Sequence, residues 1–190
     1  MSGILTIGRA KVELHERDQA VALYRDAVQS SGLADLAEAI TLWESTETPG
    51  DYMALHRYAR DEDADRAFEI IGTSESLAKV VSLADTPLDI RRYRIAGQKG
   101  QQEFEVDLGT ILSVSIRQAD PGLGWDLDAE LARILDEIAF IDGFLGSMHG
   151  RSVAVHEEIL SIALWSSEEA FRESVPGHHL FTVSAYRRVI

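Results

Sequence analysis

The chain has 190 residues, a hydrophobic content of 45% and a formal net charge of −14, values typical of one or two small globular domains. The negative charge would repel the phosphates of nucleic acids and of anionic membranes, so neither is an expected partner. The absence of cysteine excludes disulfides, thiolate nucleophiles and cysteine-ligated metals, and it fits a reducing cytoplasm.

Hydrophobic periodicity and turn residues predict four strands and three helices in the first half of the chain. The strands are expected at residues 4–14, 40–44, 52–58 and 90–96, and the helices at residues 16–31, 61–71 and 75–83. The first helix is indicated by an apolar stripe that contains Ala20, Leu23 and Ala27. Asp61 is a candidate N-cap for the second helix.

The second half repeats this order of elements after a polar, glycine-containing stretch. Strands are expected at residues 110–118, from 143, at 159–165 and at 180–189, with helices at 127–138 and after Ser166. In both halves an alternating apolar strand ends in an aromatic residue, Tyr58 or Trp165, and an acidic helix start follows. A period of half the chain indicates two copies of one unit.

Each half therefore has the β-α-β-β-α-β order of a ferredoxin-like unit. We predict a first unit at residues 1–97, a linker at 98–109 and a second unit at 110–190. The strand at 159–165 is apolar on both faces, so both faces must be covered. Helices would cover one face, and a second sheet could cover the other. The predicted fold class is α+β.

Several segments of the second half match the sequence pattern of one known family: residues 142–146 after the long helix, 159–171, 176–181 and 186–189. Residues 59–68 of the first half match that pattern more weakly. These segments resemble the antibiotic biosynthesis monooxygenase family of the dimeric α/β-barrel superfamily. The resemblance implies that two tandem ferredoxin-like units pair through their sheets as a dimeric α/β barrel within one polypeptide. The family includes cofactor-independent oxygenases of aromatic polyketides and haem-degrading oxygenases.

This sequence differs from the haem-degrading members of the family at three positions. Those members have a second Trp and a His on the helix after the Trp165-like position, where this chain has Ser174 and Ser184. They also have an Asn on the first strand, for which residues 111–118 offer only Gln118. These differences argue against haem degradation of that type.

His56 is the candidate catalytic residue. The two-residue period of a strand places it on one face with Tyr52, Ala54 and Tyr58, and Trp43 lies on the neighbouring predicted strand. A histidine among aromatic residues could be a general base whose pKa is set by burial. The alternative is a core histidine that is hydrogen-bonded to a backbone group.

Trp165 and His178 are the remaining candidates for ligand binding. Trp165 could line a crevice between sheet and helix, or it could simply fill that interface. His178 and His179 face opposite ways if they lie on a strand, so one of them could reach a pocket or a haem iron, whereas both could also face solvent.

A metal site is not expected. His149, His156, Glu157 and Glu158 have suitable ligand types, but their spacing matches no metal motif.

The leading hypothesis is a monooxygenase-like protein that binds a small, flat, apolar or aromatic molecule between sheet and helices. The resemblance implies chemistry without a cofactor, with His56 as the base and Trp43, Tyr58 and Trp165 as walls. The first alternative is a non-catalytic ligand-binding or scaffold barrel, since Ala163 stands where His56 would be matched. The second is a haem-binding barrel. A homodimer is a possible assembly.

Overall fold

The computed structural model describes residues 3–174 and 183–190 of the chain. These residues divide into two compact units, of which the first runs to Arg91 and includes Ile190, and the second runs from Arg92 to Val189. None of the helices in the described ranges is both long enough and apolar enough to cross a membrane.

The first unit is a sheet with helices packed on it. Its elements are β1 (Ile4–Lys11), a 3-10 turn (Leu14–Glu16), α1 (Arg17–Ser30), α2 (Leu33–Leu36), β2 (Ala39–Ser45), β3 (Asp51–Tyr58), α3 (Asp61–Thr73), α4 (Glu75–Ser82) and the first residues of β4 (Asp89–Gly100). Strand β3 is central and pairs antiparallel with β1 on one side and β2 on the other. The predicted hairpin of β2 and β3 is therefore confirmed.

Helix starts in the first unit follow local sequence chemistry. Three acidic residues, Asp61, Glu62 and Asp63, occupy the first turn of α3, where carboxylates interact favourably with the helix dipole. The N-cap position belongs to Arg60, so Asp61 is the first helical residue and the predicted cap is one residue late. Ser74 caps α4 by accepting a hydrogen bond from the Leu77 backbone N–H at 3.4 Å.

The core of the first unit lies between the sheet and its helices. Its buried residues come from two strands and four helices: Ile4, Ala27, Leu33, Tyr58, Ala64, Ala67 and Leu77. Small residues at three of these positions let the helices approach closely. The result is a helical layer set against one face of the β1–β3–β2 sheet.

The second unit repeats this plan. Its elements are β4 from Arg92 onward, β5 (Ile111–Gln118), α5 (Gly124–Ile138), β6 (Phe144–Ser152), β7 (Glu158–Trp165), α6 (Glu168–Ser174) and β8 (Ser184–Arg188). The strand order is β8-β5-β7-β6-β4, with antiparallel neighbours throughout. The predicted α+β class and the ferredoxin-like order of elements are confirmed.

Strand β7 confirms the prediction of a strand that is apolar on both faces, since all eight of its residues are buried. The predicted stripe of α5 supplies Leu131, Ile134, Leu135 and Ile138 to the interior. Three of these pack in a cluster with residues from the strands and α6: Ile111, Ala163, Trp165, Ala170 and Ala185.

Strand β4 is longer than the sequence pattern indicates. It continues to Gly100, beyond the predicted end at residue 96 and into the predicted linker, because Gln98 to Gly100 pair with Met148 to Gly146 of β6. A Cβ at Gly100 would lie 2.4 Å from the Leu145 carbonyl oxygen. The glycine that resembles a linker residue therefore permits close pairing of two strands. The sequence repeat and the boundaries of its units stay a prediction.

Candidate functional site

A cavity of about 100 Å³ lies in the first unit, between the sheet and helices α1 and α4. The sheet contributes alternate residues of three strands: Thr6, Gly8, Ala10, Leu42, Tyr52, Ala54 and His56. The helices contribute mainly apolar side chains: Ala20, Val21, Tyr24, Ile71, Leu77, Val80 and Val81. Small residues at Gly8, Ala10 and Ala54 leave the space that forms the cavity.

Three polar side chains form a hydrogen-bonded series that reaches the wall of this apolar cavity. The Nε2 atom of His56 lies 2.7 Å from the Tyr24 hydroxyl, and its Nδ1 atom lies 3.1 Å from the Tyr58 hydroxyl. All three side chains are buried. A neutral imidazole has one N–H donor and one acceptor nitrogen, so one tyrosine donates to His56 and the other accepts from it.

Burial sets the protonation states of His56 and Tyr24. It lowers the pKa of His56 to about 4, because the charged imidazolium loses its hydration in the interior. Burial also raises the pKa of Tyr24 well above its ordinary range, and the nearby Tyr58 adds to that effect. His56 and Tyr24 are therefore both neutral at neutral pH, and His56 holds a nitrogen that can accept a proton.

A second polar group borders the cavity at Tyr52. Burial, followed by the charge of Glu44, raises the pKa of Tyr52 to about 12. The Glu44 carboxylate accepts a hydrogen bond from the Gly50 backbone N–H at 3.1 Å and another from Arg17. This pair holds the β2–β3 turn against the start of α1.

The structure brings two of the predicted residues together and places a third elsewhere. Tyr58 contacts His56, as the strand period indicates. Register pairs Leu42 with Ala54 of the cavity, and successive residues of a strand face opposite ways. Trp43 therefore lies on the other face of the sheet from His56, fully buried, with its Nε1–H donated to Thr41 Oγ1 at 2.8 Å.

Trp165 lines a different cavity, of about 70 Å³, in the second unit. Its Nε1–H donates to Ser113 Oγ at 3.0 Å, and its ring meets Phe144 edge-on at 5.8 Å between centroids. Trp165 pairs with Ile111 as Tyr58 pairs with Ile4, so the two aromatic residues hold matching positions. Trp165 thus both lines a cavity and fills the core.

Other candidate residues do not extend either site. His178 lies outside the described residues. His149 lies 3.6 Å from Asp128, and the exposed His156 lies 3.3 Å from Glu157, while Glu158 accepts a hydrogen bond from Tyr93 at 2.8 Å. Within residues 3–174 and 183–190, no three acidic or histidine side chains are arranged to hold a metal ion.

Tyr24 is the residue of this candidate site that the sequence prediction missed. It lies on α1, 32 positions from its partner His56. The buried face of α1 is Ala20, Tyr24 and Ala27, with the i, i+4, i+7 spacing of an amphipathic helix. The predicted stripe followed the aliphatic Leu23 instead. Counting Tyr24 as apolar on its ring would have placed it on the buried face.

Comparison with known proteins supports the fold. No family model and no curated protein matches the chain. A "putative monooxygenase" of Lactobacillus acidophilus is similar in structure over 100% of this chain and 94% of its own, with a TM-score of 0.69 and 11% identity. An anthrone oxidase-like protein is similar over 99% of this chain and 92% of its own, with a TM-score of 0.68 and 12% identity.

A third similar structure belongs to a protein that is described as related to the antibiotic biosynthesis monooxygenases. It is an uncharacterised ferredoxin-fold protein of Listeria monocytogenes related to antibiotic biosynthesis monooxygenases, and it covers 99% of this chain and 96% of its own. Its TM-score is 0.57 and its identity 11%, so the similarity is one of fold. The resemblance predicted from the sequence is thereby confirmed at that level: the chain has the α+β, dimeric α/β-barrel type of fold shared with ferredoxin-fold proteins related to antibiotic biosynthesis monooxygenases.

Proposed function

We propose that the cavity of the first unit binds a small apolar or aromatic molecule, and that His56 accepts a proton from it through the Tyr24 hydroxyl. The observation that supports this is the buried Tyr24–His56–Tyr58 chain, which reaches the wall of an otherwise apolar cavity. Ligand sites commonly combine an apolar lining with a few polar groups that orient the ligand.

The size of the cavity limits the ligand. An engineered apolar protein cavity of about 150 Å³ is known to bind benzene, and the cavity of this protein measures about 100 Å³. We therefore propose a molecule of about one ring. A flat multi-ring substrate would require the helices α1 and α4 to move.

The proposed chemistry is an oxygenation without a cofactor. A ring-activated CH₂ group gives one proton to the Tyr24 hydroxyl, which lines the cavity and passes its own proton to Nε2 of His56. The resulting carbanion donates electrons to O₂ and forms a C–O bond. Cleavage of the O–O bond and loss of the second C–H proton give a carbonyl and one water, so CH₂ plus O₂ balances C=O plus H₂O. The substrate supplies all four electrons that O₂ accepts. The low pKa of His56 restricts the substrate to one whose C–H proton is already acidic.

Two kinds of similar structure favour this chemistry over other uses of the cavity. One carries a monooxygenase description and the other an anthrone oxidase-like description. The proposal extends those descriptions to this chain through the position of His56. A non-catalytic ligand-binding protein is the second candidate, since the second unit has Ala163 at the position that matches His56.

The test combines binding and oxygen uptake. Native mass spectrometry on gently purified protein would reveal a co-purified ligand and its mass. Oxygen uptake would then be measured with phenylacetaldehyde, a one-ring molecule whose CH₂ group lies between an aryl ring and a carbonyl. His56→Gln is expected to abolish uptake, and His15→Gln, at an exposed position, is the matched control.

Unchanged uptake in His56→Gln would contradict the proposed role of His56. Ligand binding in the wild type without any oxygen uptake would favour the non-catalytic candidate.

We also propose a cytoplasmic protein, as the absence of cysteine suggests, and a homodimer, which light scattering after size-exclusion chromatography would test.

A further inference from the structure

The cavity of the second unit differs from that of the first at matched positions of the sheet. The equivalence follows from the registers of β1 with β3 and of β5 with β7. First unit then second, the matched residues are Thr6 and Ser113, Gly8 and Ser115, Ala10 and Arg117, and Ala54 and Ser161. Two glycine or alanine positions of the first cavity thus become serines in the second, and a third becomes an arginine.

These polar residues are neighbours in space. Ser115 and Arg117 are two residues apart on β5, so they share a face of the sheet, and the Arg117 Nε–H donates to Ser115 Oγ at 2.9 Å. Ser161 of β7 lies directly opposite Ser115 in the register, where facing Cβ atoms are about 5 Å apart. Both serines are buried. A guanidinium and two hydroxyls therefore meet at one region of the cavity wall.

The lining of this cavity contains one cationic group. Burial lowers the pKa of Arg117 to about 10, and Glu130 acts in the opposite direction, so the guanidinium stays protonated at neutral pH. Among the described residues that line the cavity, Arg117 alone is charged. A guanidinium binds a carboxylate through two parallel N–H···O bonds, and such charge-assisted bonds are stronger than neutral ones.

The rest of the cavity is apolar and aromatic. Leu131, Leu135, Trp165 and Phe171 line it, and the rings of Trp165 and Phe171 lie 6.4 Å apart. This lining suits a hydrocarbon body rather than a sugar or a nucleotide. The volume of about 70 Å³ allows a body no larger than about one ring.

We propose that the second unit binds a small monocarboxylate with an apolar body, with its carboxylate on Arg117, Ser115 and Ser161 and its body against Trp165. The two units of one chain would then hold ligands of different chemistry. This site is separate from the cavity that contains His56, so the inference does not depend on the proposed function.

Isothermal titration calorimetry tests the assignment with two carboxylates, phenylacetate and isovalerate, and with their neutral amides. At least one carboxylate is expected to bind about tenfold or more tightly than its amide, as expected for a charge-assisted pair. Equal affinity for acid and amide, or no binding of either acid, would overturn the proposal. Tighter binding of phenyl phosphate than of phenylacetate by tenfold would overturn the choice of a carboxylate.

Variants locate the site. Arg117→Met is expected to weaken carboxylate binding about tenfold or more, and Glu130→Gln to strengthen it by removing a competing anion. Arg151→Met is the matched control, because Arg151 is likewise a partly buried arginine of the second unit, and it pairs with Asp128 outside the cavity. Ser161→Ala provides a second test if Arg117→Met does not fold, with an expected loss of several-fold. Unchanged affinity in a folded Arg117→Met or Ser161→Ala would overturn the proposal, and His56→Gln should leave carboxylate binding intact.

Discussion

The buried His56 predicts a specific pH dependence of the stability of this protein. The perturbation is His56→Gln, which keeps a hydrogen-bonding side chain between Tyr24 and Tyr58 but removes the titrating group. In the folded chain, burial lowers the pKa of His56 from 6.5 to about 4. The unfolded chain therefore takes up a proton on His56 at a pH where the folded chain does not.

The sign and size of the effect follow from that difference. Because the folded pKa is depressed, the stability contributed by keeping His56 neutral is present above pH 6.5 and is lost as the pH falls toward 4. A shift from 6.5 to about 4 gives a loss of about 2 kcal/mol at pH 5 and about 3 kcal/mol at pH 4. His56 is fully buried, so solvent screening reduces these values little.

Urea denaturation followed by circular dichroism would measure the free energy of unfolding at pH 8 and pH 5. Carboxylates titrate in the wild type and in His56→Gln alike, so the comparison isolates His56. The wild type is expected to lose about 2 kcal/mol more than His56→Gln between these pH values. His15→Gln, at an exposed position, should follow the wild type. Equal losses in the wild type and His56→Gln would refute the assignment of a neutral, buried imidazole.

Three further substitutions test the packing around the two cavities. Tyr24→Phe removes the hydroxyl that bonds His56 at 2.7 Å and should cost about 1–3 kcal/mol of unfolding free energy, measured by urea denaturation. Gly143→Ala places a Cβ 2.5 Å from a side-chain carbon of α6 at a φ of 84°. It should lower the melting temperature more than Gly122→Ala, where φ is 86° but no atom lies within 4 Å. Leu131→Ala truncates a side chain that is 1% exposed and should cost about 2–5 kcal/mol; a loss under about 1 kcal/mol would contradict its place in the core.

The order of the elements was predictable because the apolar patterns of the main strands and helices are clear in this sequence. Strand β7 has an apolar residue at nearly every position, and α5 has a regular apolar stripe. The first strand, by contrast, reads only as strand-like, and the end of β4 could not be predicted. Residues 97–100 are polar and glycine-containing, and they form a strand because β6 pairs with them, which is a tertiary contact.

The candidate site was predictable only along a single strand. The two-residue period put His56 and Tyr58 on one face, and they are in contact. The period does not give the register between strands, on which the face of Trp43 depends. It also gives no partner from a helix, so Tyr24 was missed although its spacing with Ala20 and Ala27 marks the buried face of α1.

Strand β5 shows why the second cavity could not be found from its sequence pattern. Ser113, Ser115 and Arg117 alternate with apolar residues, which is the pattern of a strand with one face in water. Here the serines are 7% and 5% exposed, because α5 and α6 cover that face. The alternation of polar and apolar residues shows which residues share a face of the strand. Whether that face is exposed to solvent or buried depends on the helices that pack on it.

The matching positions of the two units connect these observations. Tyr58 and Trp165 hold matching places at the strand ends, and both are buried against helices, so each unit keeps the same aromatic wall. The positions that face the cavity differ: His56 is matched by Ala163, and Ala10 by Arg117. A large-to-small change at one place and a small-to-charged change at another would each destabilise a fully packed core. Both differences are accommodated because each unit has a cavity at this point. The packing residues therefore maintain the shared fold, while the residues that face the cavities can differ between the units.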